Sequence, residues 1–184
     1  MSNPITNCTI ADFHQILQDF DQFWDREAVR AIHHPMFVRE FGDTAFVIKL
    51  NAELIAYLFG FFSQTSPTAY VHLIGVHQSH RRQGLAAQLI EHFATLAQEH
   101  GCTQMKAITT PRNTVSIAFH PRVGFRLEGD PTLSGVQVVK RYSGLGQDRG
   151  VMLRGFNCNP KEPNHSLYPK LTSSIFLQNS HHSF

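Results

Sequence analysis

Apolar positions along the chain change spacing several times, and each change predicts an element. Phe13, Ile16, Leu17, Phe20, Phe23 and Trp24 recur at helical intervals, so they predict one amphipathic helix with Asp12 placed to cap its start. Asn7 to Ala11 reads as a strand before it, and a second helical stretch, Arg26 to His33, ends ahead of Pro35. Thr44 to Leu50 and Leu54 to Ser63 read as two strands joined around Asn51-Ala52-Glu53 as a hairpin. Ala69 to Val76 predicts a further strand. Leu85, Leu89, Ile90, Phe93, Leu96 and Ala97 then predict a helix from Gly84 to about His100, stopped by Gly101. Gln104 to Thr109 is a short strand closed by Thr110-Pro111, and Val136 to Tyr142 and Gly150 to Phe156 predict two more around a loop over Ser143 to Arg149.

From Asn157 the pattern gives way to polar, proline-containing sequence in which only Leu171 to Leu177 alternates. The expectation is one domain over residues 1–156 and an extension over 157–184 that wraps the domain, pairs with another subunit or moves freely. A homodimer through the last strands or this extension is left open.

With 184 residues, 42% of them hydrophobic and 15 of them Phe, the chain can bury one good core. A formal charge of +2 is too small to argue for a nucleic-acid surface. Cys8, Cys102 and Cys158 form no Cys-x-x-Cys pair, so neither a disulfide framework nor a zinc site is indicated. No leader pattern opens the sequence and no run approaches the roughly 18 apolar residues of a membrane span, so the expectation is a cytoplasmic protein with no membrane partner. The adjacent pairs His33-His34 and His181-His182 point in different directions on any regular element, and read as surface residues rather than metal ligands.

The most informative stretch runs from Val76 to Ala86, where a strand passes into a helix through a basic, glycine-containing turn. The first turn of a helix carries unpaired N–H groups and the positive end of the macrodipole, so an anion can sit there. Arg81 and Arg82 add charge, Gly84 removes a Cβ that would hold a bulky ligand off the backbone, and Ala86 extends that clearance. His77 and His80 flank the turn, either helping to hold phosphate or facing solvent. The ligand this favours is a nucleotide diphosphate.

Arg81-x-x-Gly84-x-Ala86, following Ile74-x-Val76, resembles the acetyl-CoA-binding motif of the GNAT acyltransferase superfamily. Downstream, Asn113-x-x-Ser116-x-x-Phe119-His120 with Gly124-Phe125 resembles the second signature of that family, a short helix beside the pantetheine arm. The resemblance covers roughly residues 5–156. It implies an α/β (α+β) fold with a mixed, mostly antiparallel sheet of about six to seven strands and about four helices. It also implies acetyl-CoA as cosubstrate, held by Ile74, Val76, Arg81, Arg82, Gln83, Gly84, Leu85, Ala86, Asn113, Ser116, Phe119 and His120, with transfer of the acetyl group to an amine-bearing acceptor.

Acyl transfer from a thioester to a primary amine needs a deprotonated amine, a polarised carbonyl and a reprotonated thiolate. The resemblance implies that Val76 offers its N–H to the thioester oxygen. His72 lies four residues before Val76 and on the same strand face by a period of two, and the resemblance implies that this position often holds a base; the alternative is a structural strand histidine, and Glu53 and Glu40 are further candidates. Where the family most often has tyrosine, this chain has His120, which either protonates the thiolate or merely caps the short helix. The resemblance also makes Trp24, Phe37 and Phe41 candidates for the acceptor wall, against core packing, and Tyr142, Asp148 and Arg149 candidate contacts, against a solvated turn. No cysteine lies in the expected thioester site, which disfavours a covalent intermediate, and no metal is needed because the thioester is already activated. A non-catalytic acyl-CoA sensor, another acyl group and a hydroxyl acceptor remain as alternatives.

Overall fold

A computed structural model describes residues 4–25 and 27–156 of the chain; Arg26, Cys158 and the extension with its Leu171 to Leu177 alternation lie outside the described residues. Among the described residues a seven-stranded sheet runs in the order β1-β2-β3-β4-β5-β9-β6. Its strands are β1 (Ile5–Asn7), β2 (Ala45–Leu50), β3 (Glu53–Phe62), β4 (Thr68–Val76), β5 (Gln104–Thr109), β6 (Arg126–Glu128) and β9 (Gly150–Gly155). Only β4 and β5 pair in parallel; the other neighbours are antiparallel. The parallel pair is joined through α4 (Leu85–Glu99), as a crossover between parallel strands requires.

Two apolar clusters cover the two faces. On one, Leu85, Leu89, Ile90, Phe93 and Ala97 of α4 pack on Phe46, Leu58, Ala69 and Met105. On the other, α1 (Ile10–Gln18), α2 (Phe20–Phe23) and α3 (Met36–Arg39) bring Phe13, Ile16, Phe23 and Phe37 against Val47, Tyr57, Phe59 and Leu73. The phenylalanine stripe therefore reads as core. Gly60 shows how closely α4 packs, since a Cβ there would stand 2.6 Å from the Phe93 ring.

Several elements depart from expectation. The first strand is Ile5–Asn7, and Thr9 rather than Asp12 is the N-cap of α1. Asp12 sits at the third helical position, where its carboxylate accepts from the Thr9 amide while Thr9 Oγ1 accepts from the Asp12 amide, a reciprocal capping box. One long helix was expected to Trp24; the chain instead breaks at Asp19, and the stretch before Pro35 forms a 3-10 turn over Glu27–Ile32. The hairpin turn holds as a two-residue connection with Asn51 and Ala52 both at positive φ, 50° and 71°. Val136 to Tyr142 is not a strand of the main sheet: β8 (Gln137–Val138) pairs with β7 (Asp130–Pro131), Val139 makes a single antiparallel bridge to Arg149 across the expected loop, and the chain then turns at Arg141, whose φ is 55°. Two glycines around that segment, Gly129 and Gly135, take positive φ and bend it off the sheet.

Candidate functional site

The sheet opens at its centre. Pairing between β4 and β5 runs from Thr68↔Gln104 to Val71↔Ala107 and stops, although β4 continues to Val76 and β5 to Thr109. The far half of β4 is thus paired to β3 alone. The His77 amide donates to Ile55 O at 2.9 Å, so by the alternation of an antiparallel ladder the amides of Ile74 and Val76 face the opposite edge, into the opening. An extended chain carrying amides of its own could pair along that edge as an added strand would.

The N-terminus of α4 lies at the end of the same strand. Gly84 is its N-cap at φ +81°, and no side chain among the described residues caps it. The first helical hydrogen bond is Gln88 N to Gly84 O, which leaves the amides of Leu85, Ala86 and Ala87 without helical partners. A Cβ on Gly84 would meet nothing within 4 Å, so the space beside the terminus is open. Arg82, also at positive φ, and Gln83 are exposed there. Arg81 is committed differently from expectation: Nη2 donates to Phe23 O at 2.9 Å and Nε to Val76 O at 3.3 Å, so it ties the end of α2 to the end of β4.

The second expected segment folds as α5 (Thr114–Phe119), capped by Asn113, whose Oδ1 accepts from the Ser116 amide at 3.1 Å. Phe119 packs against the α4-side core. His120 is buried between the edges of Phe119 and Phe125. Its Nδ1 lies 2.9 Å from Ser116 O, to which it donates, and 3.2 Å from Ser116 Oγ. Nε2 is buried with no hydrogen-bond partner among the described residues. Burial lowers the imidazole pKa from its ordinary 6.5, against a weaker raising effect of the Ser116 carbonyl, so His120 is neutral at pH 7. A resting imidazolium poised to protonate a thiolate is not what this environment favours.

His72 and Val76 were expected on one strand face, and they are not. The β3–β4 register shifts between Phe59↔Leu73 and Gly60↔Val71, which leaves His72 as the extra residue of a β-bulge and reverses the alternation. Val76 packs with the α4-side core, while the His72 ring stacks on Phe37 at 4.4 Å on the other face. Its Nε2 donates to Ile32 O at 3.1 Å, and burial outweighs that bond in lowering its pKa, so it too is neutral with Nδ1 as the remaining acceptor. Phe37 is 2% exposed and packs between Phe59 and His72, Phe41 is half-buried beside it, and Trp24 donates its indole N–H to Tyr57 Oη.

Tyr57 escaped sequence reasoning because it sits in an apolar strand run. Its hydroxyl also meets His33 Nε2 at 2.6 Å, and His33 Nδ1 donates to Val29 O at 2.9 Å, so a buried chain of three polar side chains is fully paired. Glu40 lies at the end of α3, and Glu53 is exposed at the hairpin turn. In the late loop Asp148 Oδ1 accepts from the Arg141 amide and Arg149 bonds Gln147, so both brace the turn, while the Tyr142 ring lies under Lys106 Nζ at 4.9 Å. Cys8 is buried and its thiol is pushed up to about 12, by burial first and by Asp12 second, and Cys102 is buried and raised as well. Neither offers a thiolate. No described helix is long and apolar enough to cross a membrane.

An unpaired strand edge, an uncapped helix start and clearance at Gly84 together fit an extended, amide-bearing ligand that ends in a pyrophosphate. Comparison with known proteins agrees. The model of the acetyltransferase (GNAT) family matches residues 10–125. Aminoglycoside N(6')-acetyltransferase type 1 of Acinetobacter genomosp. 13 is 26% identical over 128 residues, covering 66% of this chain and 88% of that one. The enzyme of the same name from Serratia marcescens is 33% identical over 101 residues, 54% of this chain and 68% of its own. Among solved structures, ribosomal-protein-S18-alanine N-acetyltransferase from Escherichia coli aligns with TM-score 0.60 at 17% identity, over 91% of this chain and 99% of that one. PaiA N-acetyltransferase from Thermoplasma acidophilum, in complex with coenzyme A, aligns with TM-score 0.62 at 12% identity, over 85% and 100%. The chain belongs to the acetyltransferase (GNAT) family and is an acyltransferase that moves an acetyl group from acetyl-CoA to an amine.

Proposed function

We propose that acetyl-CoA lies with its pantetheine arm along the unpaired edge of β4 and its pyrophosphate on the amides of Leu85, Ala86 and Ala87, and that a primary amine attacks it directly in a ternary complex. The observation that carries this reading is the early end of the β4–β5 pairing opposite an uncapped α4. In that pose the Val76 N–H polarises the thioester oxygen. The amine nitrogen bonds to the carbonyl carbon, the carbon–sulfur bond breaks with its electron pair leaving on sulfur, and the amine proton passes to the neutral Nδ1 of His72, directly or through water.

His120 takes part as a neutral group. With Nδ1–H donated to Ser116 O, the otherwise unpaired Nε2 carries the lone pair and accepts a hydrogen bond from the coenzyme A thiol once solvent has protonated the sulfur. Arg81 positions the end of β4 through its two carbonyl bonds rather than by holding phosphate.

For the acceptor, the names of the curated relatives favour a primary amine on an aminosugar. The test is thiol release from acetyl-CoA with aminoglycosides, polyamines, peptide N-termini and arylamines, for the wild type and Gly84→Glu. Amine-dependent release lost in the variant supports the reading, and the amine that releases thiol names the acceptor class. Release that survives in Gly84→Glu with unchanged KM for acetyl-CoA would overturn the binding mode, and release only with amines that carry no sugar would overturn the acceptor class.

A further inference from the structure

We propose that Glu53, His77 and His80 form a binding site for one divalent transition-metal ion of borderline softness, such as zinc or cobalt, where the β2–β3 hairpin turn meets the turn between β4 and α4. One ligand atom from each of the three lies within 4.8 Å of the other two. The backbone brings them there. His77 caps a 3-10 turn over Gln78–His80, and the His80 amide donates to His77 O at 2.9 Å. Residues three apart on such a turn project from the same side. Glu53 opens β3 directly after the hairpin turn, and the bond from the His77 amide to Ile55 O fixes the turn beside it.

His77 is held in place by its neighbours. Its Nδ1 lies 2.7 Å from Ser79 Oγ, and the edge-on Phe23 ring, with centroids 5.5 Å apart, holds the imidazole plane. Nδ1 also accepts from the Ser79 amide at 3.4 Å; a metal on Nε2 requires the proton on Nδ1 instead, where Ser79 Oγ is in place to accept it, and such an outer hydrogen bond fixes the tautomer of a metal-bound imidazole. Metal–ligand bonds of about 2.0–2.2 Å require the three donors to draw together, by rotation of the exposed Glu53 carboxylate and of the part-exposed His80 ring. Two imidazole nitrogens and a carboxylate suit zinc or cobalt and leave a position for water, whereas magnesium and calcium demand oxygen donors. A bound ion joins the hairpin turn to the segment leading to Gly84, and stabilises the folded chain because the unfolded chain has no such site.

The experiment is titration of the chelator-treated full chain with Co²⁺ in the absence of acetyl-CoA, followed by visible absorption and by thermal unfolding. Expected are bands of a low-coordinate cobalt centre and a rise in Tm. Glu53→Gln and His80→Asn each weaken Co²⁺ binding by about tenfold or more, Ser79→Ala weakens it by roughly tenfold, and Mg²⁺ does not compete. His34→Asn leaves the titration as in the wild type. Equal Co²⁺ affinity in the wild type, Glu53→Gln and His80→Asn would overturn the site, and so would competition by equimolar Mg²⁺. Because no acyl donor is present, a negative result bears on the metal and leaves the acetyl-CoA binding mode to its own test.

Discussion

Helices α1 and α4 face opposite sides of one sheet and begin in opposite ways. The start of α1 is closed: Thr9 and Asp12 satisfy each other's amides, and Lys49 Nζ adds an ion pair to Asp12 at 2.6 Å. The start of α4 is open, with a glycine N-cap, no capping side chain and free space beside it. The same contrast separates two buried imidazoles. His33 has both ring nitrogens paired, while His120 has Nε2 unpaired. A folded chain ordinarily satisfies its buried polar groups. The α1–β3 side does so and the β4–α4–α5 side does not, and it is on the unsatisfied groups that we propose acetyl-CoA binds.

The sharpest way to break this comparison is to fill the open terminus. Gly84→Glu places a carboxylate where the pyrophosphate is to sit, and we expect acetyl-CoA affinity measured by calorimetry to fall by about a hundredfold or more, roughly 2.7 kcal/mol. Thr9→Ala at the closed terminus is expected to do the reverse. It should lower unfolding free energy by about 1 kcal/mol in a denaturant titration and leave acetyl-CoA affinity within a factor of about two. Equal effects of both substitutions on affinity would remove the distinction.

The two histidines give the next contrast. His33→Phe leaves the Tyr57 O–H without its acceptor in the core, although the Trp24 indole still donates to the oxygen, and should cost about 1–3 kcal/mol of stability, read from the unfolding midpoint. His120→Phe strands nothing, because Ser116 O still accepts from the backbone amide of residue 120, and should cost under about 1 kcal/mol. Its effect belongs in catalysis: kcat should drop while KM for acetyl-CoA holds.

Much of this was legible in the sequence because it is local. The α4 stripe, the turn from Val76 to Ala86 and the strands β2 to β5 each rest on spacing or turn chemistry within a few residues, and their bounds agree closely, whereas β1 is displaced to Ile5–Asn7. What could not be read there involves distant partners or a change of phase. The bulge at His72 breaks a period-two argument that holds for a regular strand, and nothing in the sequence around it marks the break. Arg81 was assigned to an anion from its position, yet its partner Phe23 O is 58 residues away. The segment between Phe125 and Gly150 forms only short strands, since its glycines at positive φ outweigh the apolar content of Val136 to Tyr142, whereas β9 forms where Gly150 to Phe156 is expected.

Acid sharpens the contrast between closed and open groups in a way that needs no substitution. Burial holds His33, His72 and His120 below the ordinary 6.5, so the unfolded chain binds more protons than the folded one once pH drops below that value. Their stabilisation is therefore complete above about pH 6.5 and lost as pH falls through the folded pKa values. Asp12 adds a second step. Burial raises its pKa, but Lys49 and Thr9 together bring it below 3.8, so its contribution holds above 3.8 and is lost further down, while α4 has no carboxylate in its first turn. Unfolding free energy measured from pH 7.5 to 5 should fall steadily in the wild type and less steeply in His120→Phe; identical slopes would mean that His120 takes up its proton freely when folded.

The smallest expected effect concerns two left-handed residues, one with a Cβ and one without. Ala52 has φ 71° in the two-residue turn between β2 and β3, and Gly84 has φ 81° at the open terminus. A left-handed conformation costs a residue bearing a Cβ roughly 1–2 kcal/mol, and such turns favour glycine at this position. Ala52→Gly should therefore raise unfolding free energy by about 0.5–1 kcal/mol after the added entropy of the unfolded chain is subtracted, with no change in KM for acetyl-CoA. Gly84→Ala incurs the same backbone strain, and its Cβ meets no protein atom within 4 Å, so any loss of acetyl-CoA affinity beyond the change in stability measures how closely the ligand approaches. If Gly84→Ala lowers stability by about 1 kcal/mol and leaves affinity untouched, Gly84 serves the turn alone, and the clearance for a ligand must come from Ala86.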